Sequence, residues 1–167
     1  NLNKHFTKIP IFASVVLLIA GCSKDDDSVN APQENPIVDV LPAYLELAGF
    51  SSYTTAKNSV DYEFGHSFIP TADGKIIAIS VKIPDIRQNI RITLWDKATR
   101  TILRSELMDI TSSDVEITKQ ITDLSLVKDK EYMLTFNTND WYTRSKKVFT
   151  SPAAYPIIVG DIKITGF

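Results

Sequence analysis

The strongest constraint in this sequence is a two-residue period of apolar side chains that begins near residue 60. Side chains that alternate between two faces are typical of β-strands, whereas an α-helix repeats every 3.6 residues. No long segment of the chain has the helical period. Rows with the two-residue period occur at residues 62–68, 77–83, 90–95, 102–107, 115–121, 132–136 and 157–167.

Turn signals separate these rows. Asp73-Gly74 is a strong hairpin marker, and residues 96–99 indicate another turn. Residues 42–49 fit either a short helix that starts with a proline and ends with a glycine, or a first strand, and we favour the strand. The pattern predicts an all-β fold, namely an antiparallel β-sandwich, immunoglobulin-like or jelly-roll-like, of about seven or eight strands.

Composition narrows the classes of function. Hydrophobic residues make up 44% of the 167 residues and charged residues 23%, which is enough for a packed core and excludes general disorder. The net charge of −2 argues against a nucleic-acid partner bound through its phosphates. A single cysteine excludes both a disulfide within the chain and a cysteine-cluster zinc site.

The first residues have the organisation of an export signal. Lys4 and Lys8 precede an apolar run at residues 11–20, which is about half as long as a helix that spans a bilayer. A positive start followed by a short apolar run is typical of a secretory signal rather than of a transmembrane anchor.

The apolar run ends in Ile19-Ala20-Gly21-Cys22. This ending resembles the lipobox of bacterial lipoprotein precursors, in which small residues precede a cysteine. The resemblance implies that residues 1–21 are a signal peptide cut off before Cys22. It also implies that the Cys22 sulfur carries diacylglycerol and that the new amino group is acylated, so that the membrane is a partner through lipid.

Residues 22–37 are predicted to be the lipidated cysteine and a flexible tether, and residues 38–167 the β-sandwich domain. The tether contains acids, polar side chains and two prolines, and has little apolar surface to offset the entropy of ordering. Its start, SKDDD at residues 23–27, is similar to the acidic signal of surface-exposed lipoproteins of the Bacteroidota. That resemblance implies an outer-membrane lipoprotein displayed at the cell surface, with a periplasm-facing lipoprotein as the alternative.

Five short motifs follow one another within the predicted domain. They are YxFGxxF at residues 62–68, DGKI at 73–76, LWD at 94–96, LRS at 103–105 and LxxxxxY at 126–132. Their order resembles that of β-sandwich domains of unassigned function on bacterial and archaeal surface proteins. Asp129 stands where those domains usually have glycine, and aspartate tolerates the same turn geometry. The resemblance implies a sandwich and surface display, and it supplies no catalytic residue.

A search for catalytic chemistry finds few candidates. Beyond the signal segment the chain has one histidine, His66, placed in mid-strand, and there is no Gly-x-Ser-x-Gly motif. We therefore expect His66 in or near the core, a non-catalytic protein, and no cofactor or metal centre. A structural calcium held by loop oxygens near Asp73, Asp96 or Asp161 stays open.

The best candidate for ligand contact is the polar segment at residues 137–144. Its adjacent Trp141 and Tyr142 would point to opposite faces of a strand, so that one ring would face solvent. An exposed ring beside Asp140 and Arg144 suits sugar binding, which combines apolar stacking with directed hydrogen bonds. The alternative is that Trp141 caps the core and Tyr142 lies at a strand edge. Trp95 is expected to pack beneath a loop.

Taken together, these features predict a lipid-anchored cell-envelope protein whose sandwich binds a glycan or a protein partner without catalysis. One alternative is a small glycan-active hydrolase, which would need two facing carboxylates in an aromatic-lined groove. Another is a structural or adhesive subunit of an envelope assembly, which would need a long, unprotected edge strand with few charges.

Overall fold

The computed structural model of the chain describes residues 37–146 and 154–167. The predicted signal peptide, Cys22 and all of the predicted tether except residue 37 lie outside these ranges. In chain order the elements are helix α1 (Val40–Leu47) and strands β1 (Phe50–Pro70), β2 (Gly74–Val81), β3 (Arg87–Asp96), β4 (Thr101–Ile110), β5 (Ile117–Leu126), β6 (Tyr132–Lys146), β7 (Ile157–Val159) and β8 (Ile162–Gly166). None of the described helices is long and apolar enough to cross a bilayer.

The strands form two antiparallel sheets. One has six strands in the order β4-β3-β6-β1-β8-β7, and the other pairs β2 with β5. The prediction of an all-β antiparallel sandwich is therefore confirmed. The alternating rows form strands because one face of each row is buried against the opposite layer while the other face stays in solvent.

Two clusters of buried side chains fill the space between the layers. In one, β2 packs over β3 and β4, and its buried members are Ile79, Val81, Ile83, Ile90, Ile92, Met108 and Ile110. In the other, α1 covers parts of β1, β7 and β8, and its buried members are Tyr44, Ala48, Phe68, Leu94, Leu126, Tyr132, Val159 and Ile164. Complete burial of one such side chain contributes about 1.5–3 kcal/mol. The six-stranded sheet thus has one face covered partly by strands and partly by a helix.

The preference for a strand at residues 42–49 is wrong, because this segment is part of helix α1 and the turn that follows it. The Asp39 carboxylate accepts a hydrogen bond from the Leu41 backbone N–H at 3.3 Å and so caps the first turn. Gly49, with φ at +76°, ends the helix. Tyr44 and Ala48 lie one helical turn apart and are both buried, so the helical period places them on the core.

Asp73-Gly74 is not a hairpin turn, because β1 and β2 belong to different sheets. The Asp73 carboxylate instead accepts a hydrogen bond from the Lys128 N–H at 2.7 Å, which ties this crossover to the turn between β5 and β6. The turn predicted at residues 96–99 does join a hairpin, β3 and β4. There the Asp96 carboxylate accepts from the Thr99 N–H at 3.1 Å.

The longest strands, β1 and β6, continue beyond their neighbours. They pair from Phe50 opposite Lys146 to Lys57 opposite Asp140, and after an irregularity in β1 the pairing resumes at Tyr62. Strand β3 pairs with β6 only at residues 132–136, and β8 pairs with β1 only at residues 67–70. Residues 50–57 and 140–146 therefore form a two-stranded extension, called the β1/β6 ribbon below.

Candidate functional site

All four predicted contact residues lie on the β6 strand of the ribbon, in different surroundings. Trp141 lies opposite Ala56 in β1, and its half-buried ring packs on Phe64 with centroids 4.7 Å apart. The ring is thus held against the body of β1 rather than projecting freely. Tyr142 and Arg144 lie close to each other, and the structure brings them together with two residues from elsewhere in the chain.

Asp140 is part of the interior. Its side chain is 1% exposed, and its carboxylate accepts hydrogen bonds from the Asp85 N–H at 2.9 Å and the Thr138 hydroxyl at 2.6 Å. The Arg87 guanidinium lies 3.9 Å away. These contacts tie the loop between β2 and β3 to β6. Asp140 is therefore separated from the solvent-facing side chains of the ribbon.

A small cavity lies beside this buried carboxylate. Its volume is about 190 Å³, and its lining includes Lys57, Pro84, Asp85 and Asp140. The exposed ammonium of Lys57 forms an ion pair with Asp85 at 2.5 Å, which holds the carboxylate of Asp85 at the rim. The cavity is smaller than the roughly 300–1,000 Å³ that is usual for a pocket enclosing a drug-sized ligand.

Two tyrosine rings and two cations meet on the ribbon. Tyr53 lies opposite Arg144 in the strand register, and its ring meets Tyr142 edge-on at 5.0 Å. The Arg144 guanidinium lies 5.3 Å from the Tyr53 ring and 5.9 Å from the Tyr142 ring. Lys82, just after β2, places its ammonium 5.9 Å and 5.7 Å from the same rings. We call these four residues the Tyr53/Tyr142 platform.

The Tyr142 ring is fixed at its hydroxyl end, which donates a hydrogen bond to Asp114 in the turn between β4 and β5. Burial, followed by the contact with this carboxylate, raises the pKa of the Tyr142 hydroxyl above its ordinary value. The tyrosine is therefore a neutral hydrogen-bond donor at physiological pH. Tyr53, by contrast, is 52% exposed, so its ring is open to a ligand.

The cations of the platform have no acidic partner close by. Within the described residues, no carboxylate oxygen lies within 4.0 Å of Lys82 Nζ or the Arg144 guanidinium. By contrast, Lys57 on β1 and Lys75 on β2 each pair with an aspartate at 2.5 Å. The platform is thus a local positive site on a chain of net charge −2.

Sequence reasoning missed Tyr53 and Lys82. Tyr53 is in a serine- and threonine-rich stretch without an apolar row, and Lys82 follows a strand like many surface lysines. Their proximity to Tyr142 depends on the β1–β6 register and on the packing of the layers, which no local pattern encodes. The one available signal was a large aromatic residue in an otherwise polar stretch at residues 51–55.

The other residues singled out from the sequence have structural contacts. The half-buried ring of His66 packs on Phe68 and Phe167, with centroids 5.9 and 5.2 Å away, and burial lowers its pKa to about 4. This agrees with the expectation of a histidine in or near the core. Trp95 is half-buried, and its indole N–H donates to the Thr135 hydroxyl at 2.9 Å.

The three aspartates considered for calcium each have a hydrogen-bond or ion-pair partner within the protein. Asp96 forms an ion pair with Lys130 at 2.8 Å, and Asp161 accepts from the Thr71 hydroxyl at 3.2 Å. In the part of the chain that the structure describes, no group of three or more histidine, cysteine or acidic residues is placed to hold a metal ion.

Comparison with known proteins identifies no relative of this chain. No protein-family model matches the chain, no curated protein matches it, and no solved structure matches it.

Proposed function

We propose that the chain is a lipid-anchored cell-envelope lipoprotein whose β-sandwich domain binds a glycan at the Tyr53/Tyr142 platform, without catalysis. The observation that supports the proposed binding site is that two tyrosine rings lie close to Lys82 and Arg144 on an accessible ribbon. The anchor is supported by the lipobox-like sequence that ends at Cys22.

The platform has the parts that sugar recognition uses. A sugar ring has an apolar C–H face, which stacks on an aromatic ring, and a rim of hydroxyls, which needs directed hydrogen bonds. Tyr53 offers an exposed ring, and Arg144 offers several N–H donors in a fixed plane. Tyr142 is held in position by Asp114, so part of the site is ordered before a ligand arrives.

The four residues of the platform include no carboxylate, and this favours binding over hydrolysis. A glycosidase needs two carboxylates on either side of the bond that is cleaved. Asp85 and Asp140 both line the small cavity, but Asp85 pairs with Lys57 and Asp140 is already hydrogen-bonded to two protein donors. Both carboxylates are thus engaged with protein groups rather than free to act as a catalytic pair.

Lipid would supply the attachment to the envelope. Each acyl CH₂ buried in a bilayer contributes about 0.8 kcal/mol, and one chain alone binds only marginally. The several chains implied by the lipobox resemblance would make release slow. A flexible tether of about fifteen residues has an average reach of roughly 20 Å. It would let the domain reorient above the outer membrane, whether it faces the cell surface or the periplasm.

The decisive test is a glycan array probed with the domain, residues 38–167, and with its Tyr53→Ala variant. We expect the wild-type domain to be retained on a subset of glycans, and Tyr53→Ala to lose that retention while its thermal unfolding is unchanged. Val60→Ala, which removes another exposed side chain of β1, is the matched control and should bind normally. Equal retention of Tyr53→Ala and the wild type would exclude the platform as the site.

One observation favours a second candidate, an adhesive subunit that pairs through a sheet edge. On its β8 side, β1 has no strand partner among the described residues until Ser67, and residues 50–56 include no charged side chain. Uncharged open edges can accept a further strand. Thr54→Lys would place a charge on this edge and should abolish capture of an envelope partner in cross-linking. Unchanged cross-linking would exclude the edge.

A further inference from the structure

The two cations of the platform come from different layers of the fold and share the same pair of rings. Lys82 follows a strand of the two-stranded sheet, and Arg144 belongs to β6 of the six-stranded sheet. Both lie within 6 Å of the Tyr53 and Tyr142 ring centroids. Like charges brought together in this way repel each other, and the aromatic faces offset only part of that cost.

One carboxylate lies beside the platform, that of Asp114, and its negative charge offsets part of the positive charge. Asp114 accepts the Tyr142 hydroxyl proton in a hydrogen bond, and within the described residues it makes no ion pair with Lys82 or Arg144. Two other cations near the ribbon have such partners, Lys57 with Asp85 and Arg87 with Asp61 at 3.0 Å. An anionic group between Lys82 and Arg144 would complete the site.

We propose that the ligand of the platform is an acidic polysaccharide, with a uronate carboxylate held between Arg144 and Lys82 and the sugar ring against Tyr53. This rests on the proposed glycan-binding function and names its ligand class. A guanidinium matches a carboxylate in two parallel hydrogen bonds, and an ammonium adds a point charge. The exposed Tyr53 ring favours a sugar over a peptide acid, because it offers a flat apolar surface beside the charge.

The test uses the full-length lipoprotein extracted from membranes in detergent and measures its binding to immobilised polygalacturonate and alginate. Each polymer is presented beside its carboxyl-reduced form, in which the uronates become neutral sugars. We expect binding to at least one acidic polymer, about tenfold or more weaker binding to its reduced form, and weakening with added salt. Binding to neither acidic polymer would overturn the inference.

Two substitutions test whether Arg144 and Lys82 bind the acidic group. Arg144→Gln and Lys82→Gln should each weaken binding to the acidic polymer by about five- to tenfold and leave the residual binding of the reduced polymer unchanged. Lys75→Gln, near the start of β2 and roughly 20 Å along the chain from Lys82, which follows the end of β2, is the control. It removes a lysine that is more exposed than Lys82 and that pairs with Asp123, and it should bind like the wild type. Acid binding that survives both platform substitutions would overturn the assignment.

The remaining outcomes separate this inference from the function on which it rests. Equal binding to the acidic and reduced polymers would overturn the acidic ligand while the glycan-binding function stands. Equal binding to polyglutamate would show a site for acidic peptides and overturn the sugar assignment. If no glycan of any kind is retained on the array, the proposed function fails as well.

Discussion

Asp140 and Tyr142 lie two positions apart on the same strand, yet they meet different surroundings. The Asp140 carboxylate is hydrogen-bonded inside the protein, whereas the Tyr142 ring forms part of a cationic surface. Both were grouped as ligand contacts because they are neighbours in a polar stretch. At the scale of the residue, the role of a side chain depends on the atoms that surround it. Asp140 meets the β2–β3 loop, whereas Tyr142 meets β1 and the β4–β5 turn.

His66 makes a residue-scale prediction about pH. Burial lowers its pKa from 6.5 to about 4 in the folded protein, so between these values the unfolded chain binds a proton that the folded chain does not. The free energy of unfolding should therefore fall as the pH drops from about 6.5 to 4, by on the order of 2 kcal/mol, and level off below. Urea unfolding at a series of pH values measures this.

The control for this prediction is His66→Phe, which keeps a ring against Phe68 and Phe167 but does not titrate. The wild type should lose stability relative to this variant only between about pH 6.5 and 4. Asp96 does not interfere, because its contacts with Lys130 and Thr99 lower its pKa to about 2. A parallel pH dependence of the two proteins would show that His66 is not the responsible group.

At the scale of the element, β1 and β6 pair along most of their length. One part of this pairing contributes to the core, and the other part forms the β1/β6 ribbon. Near the middle of the pairing, Gly65 lies opposite Thr135, and a Cβ built on Gly65 would be 2.1 Å from the Leu134 carbonyl oxygen. The two backbones approach closely there, which only a glycine permits. Beyond the irregularity in β1, the same two strands pair with no third strand among the described residues, and they present Tyr53 and Arg144.

Gly65→Ala should therefore strain the pairing of β1 and β6. We expect a loss of roughly 2–4 kcal/mol in the free energy of unfolding, because backbone atoms rather than a flexible side chain must move. Gly74→Ala, at the start of β2, is the matched control, since nothing lies within 4 Å of the added carbon. Chemical denaturation of both variants checks the contrast, and equal effects would contradict the close approach.

Substitutions of two aromatic residues of the ribbon should have different effects, one on stability and the other on binding. Trp141→Ala removes a half-buried ring from Phe64 and should lower the free energy of unfolding by about 1–3 kcal/mol. Tyr53→Ala removes a ring that is 52% exposed and should change stability by less than about 1 kcal/mol while it weakens glycan retention. If Tyr53→Ala unfolds as readily as Trp141→Ala, the platform is a packing feature rather than a binding surface.

At the scale of the whole molecule, the proposed lipid anchor would determine where the platform can act. Cys22→Ala should abolish acylation and release the protein from membranes, because the thiol that would carry the lipid is gone. Radiolabelled palmitate incorporation and membrane fractionation measure this. Removing residues 24–27 should leave acylation intact but lower protease access on whole cells. Persistent labelling of Cys22→Ala would disprove the lipobox, and unchanged access would disprove the export signal.

Local pattern determined much of the architecture. The two-residue alternation was enough to identify β2 to β6 as strands of an antiparallel sandwich, because the alternation of exposed and buried faces is a property of adjacent residues. The single row predicted at residues 157–167 is two strands in the structure, β7 and β8, which pair with each other. The hairpin of β3 and β4 and the core-side position of His66 also followed from local pattern. Asp129, with φ at 61°, adopts the turn geometry expected where the resembling domains have glycine.

Only the tertiary structure decided the rest. Residues 42–49 fit a strand as well as a helix because a short amphipathic segment fits both periods, and the packing of helix α1 through Tyr44 and Ala48 selects the helix. Asp73-Gly74 crosses between sheets because partner choice depends on contacts far along the chain. Tyr53 and Lys82 join Tyr142 and Arg144 for the same reason. Alternation records which side of a strand is buried, but register and layer packing determine which distant side chains share a surface.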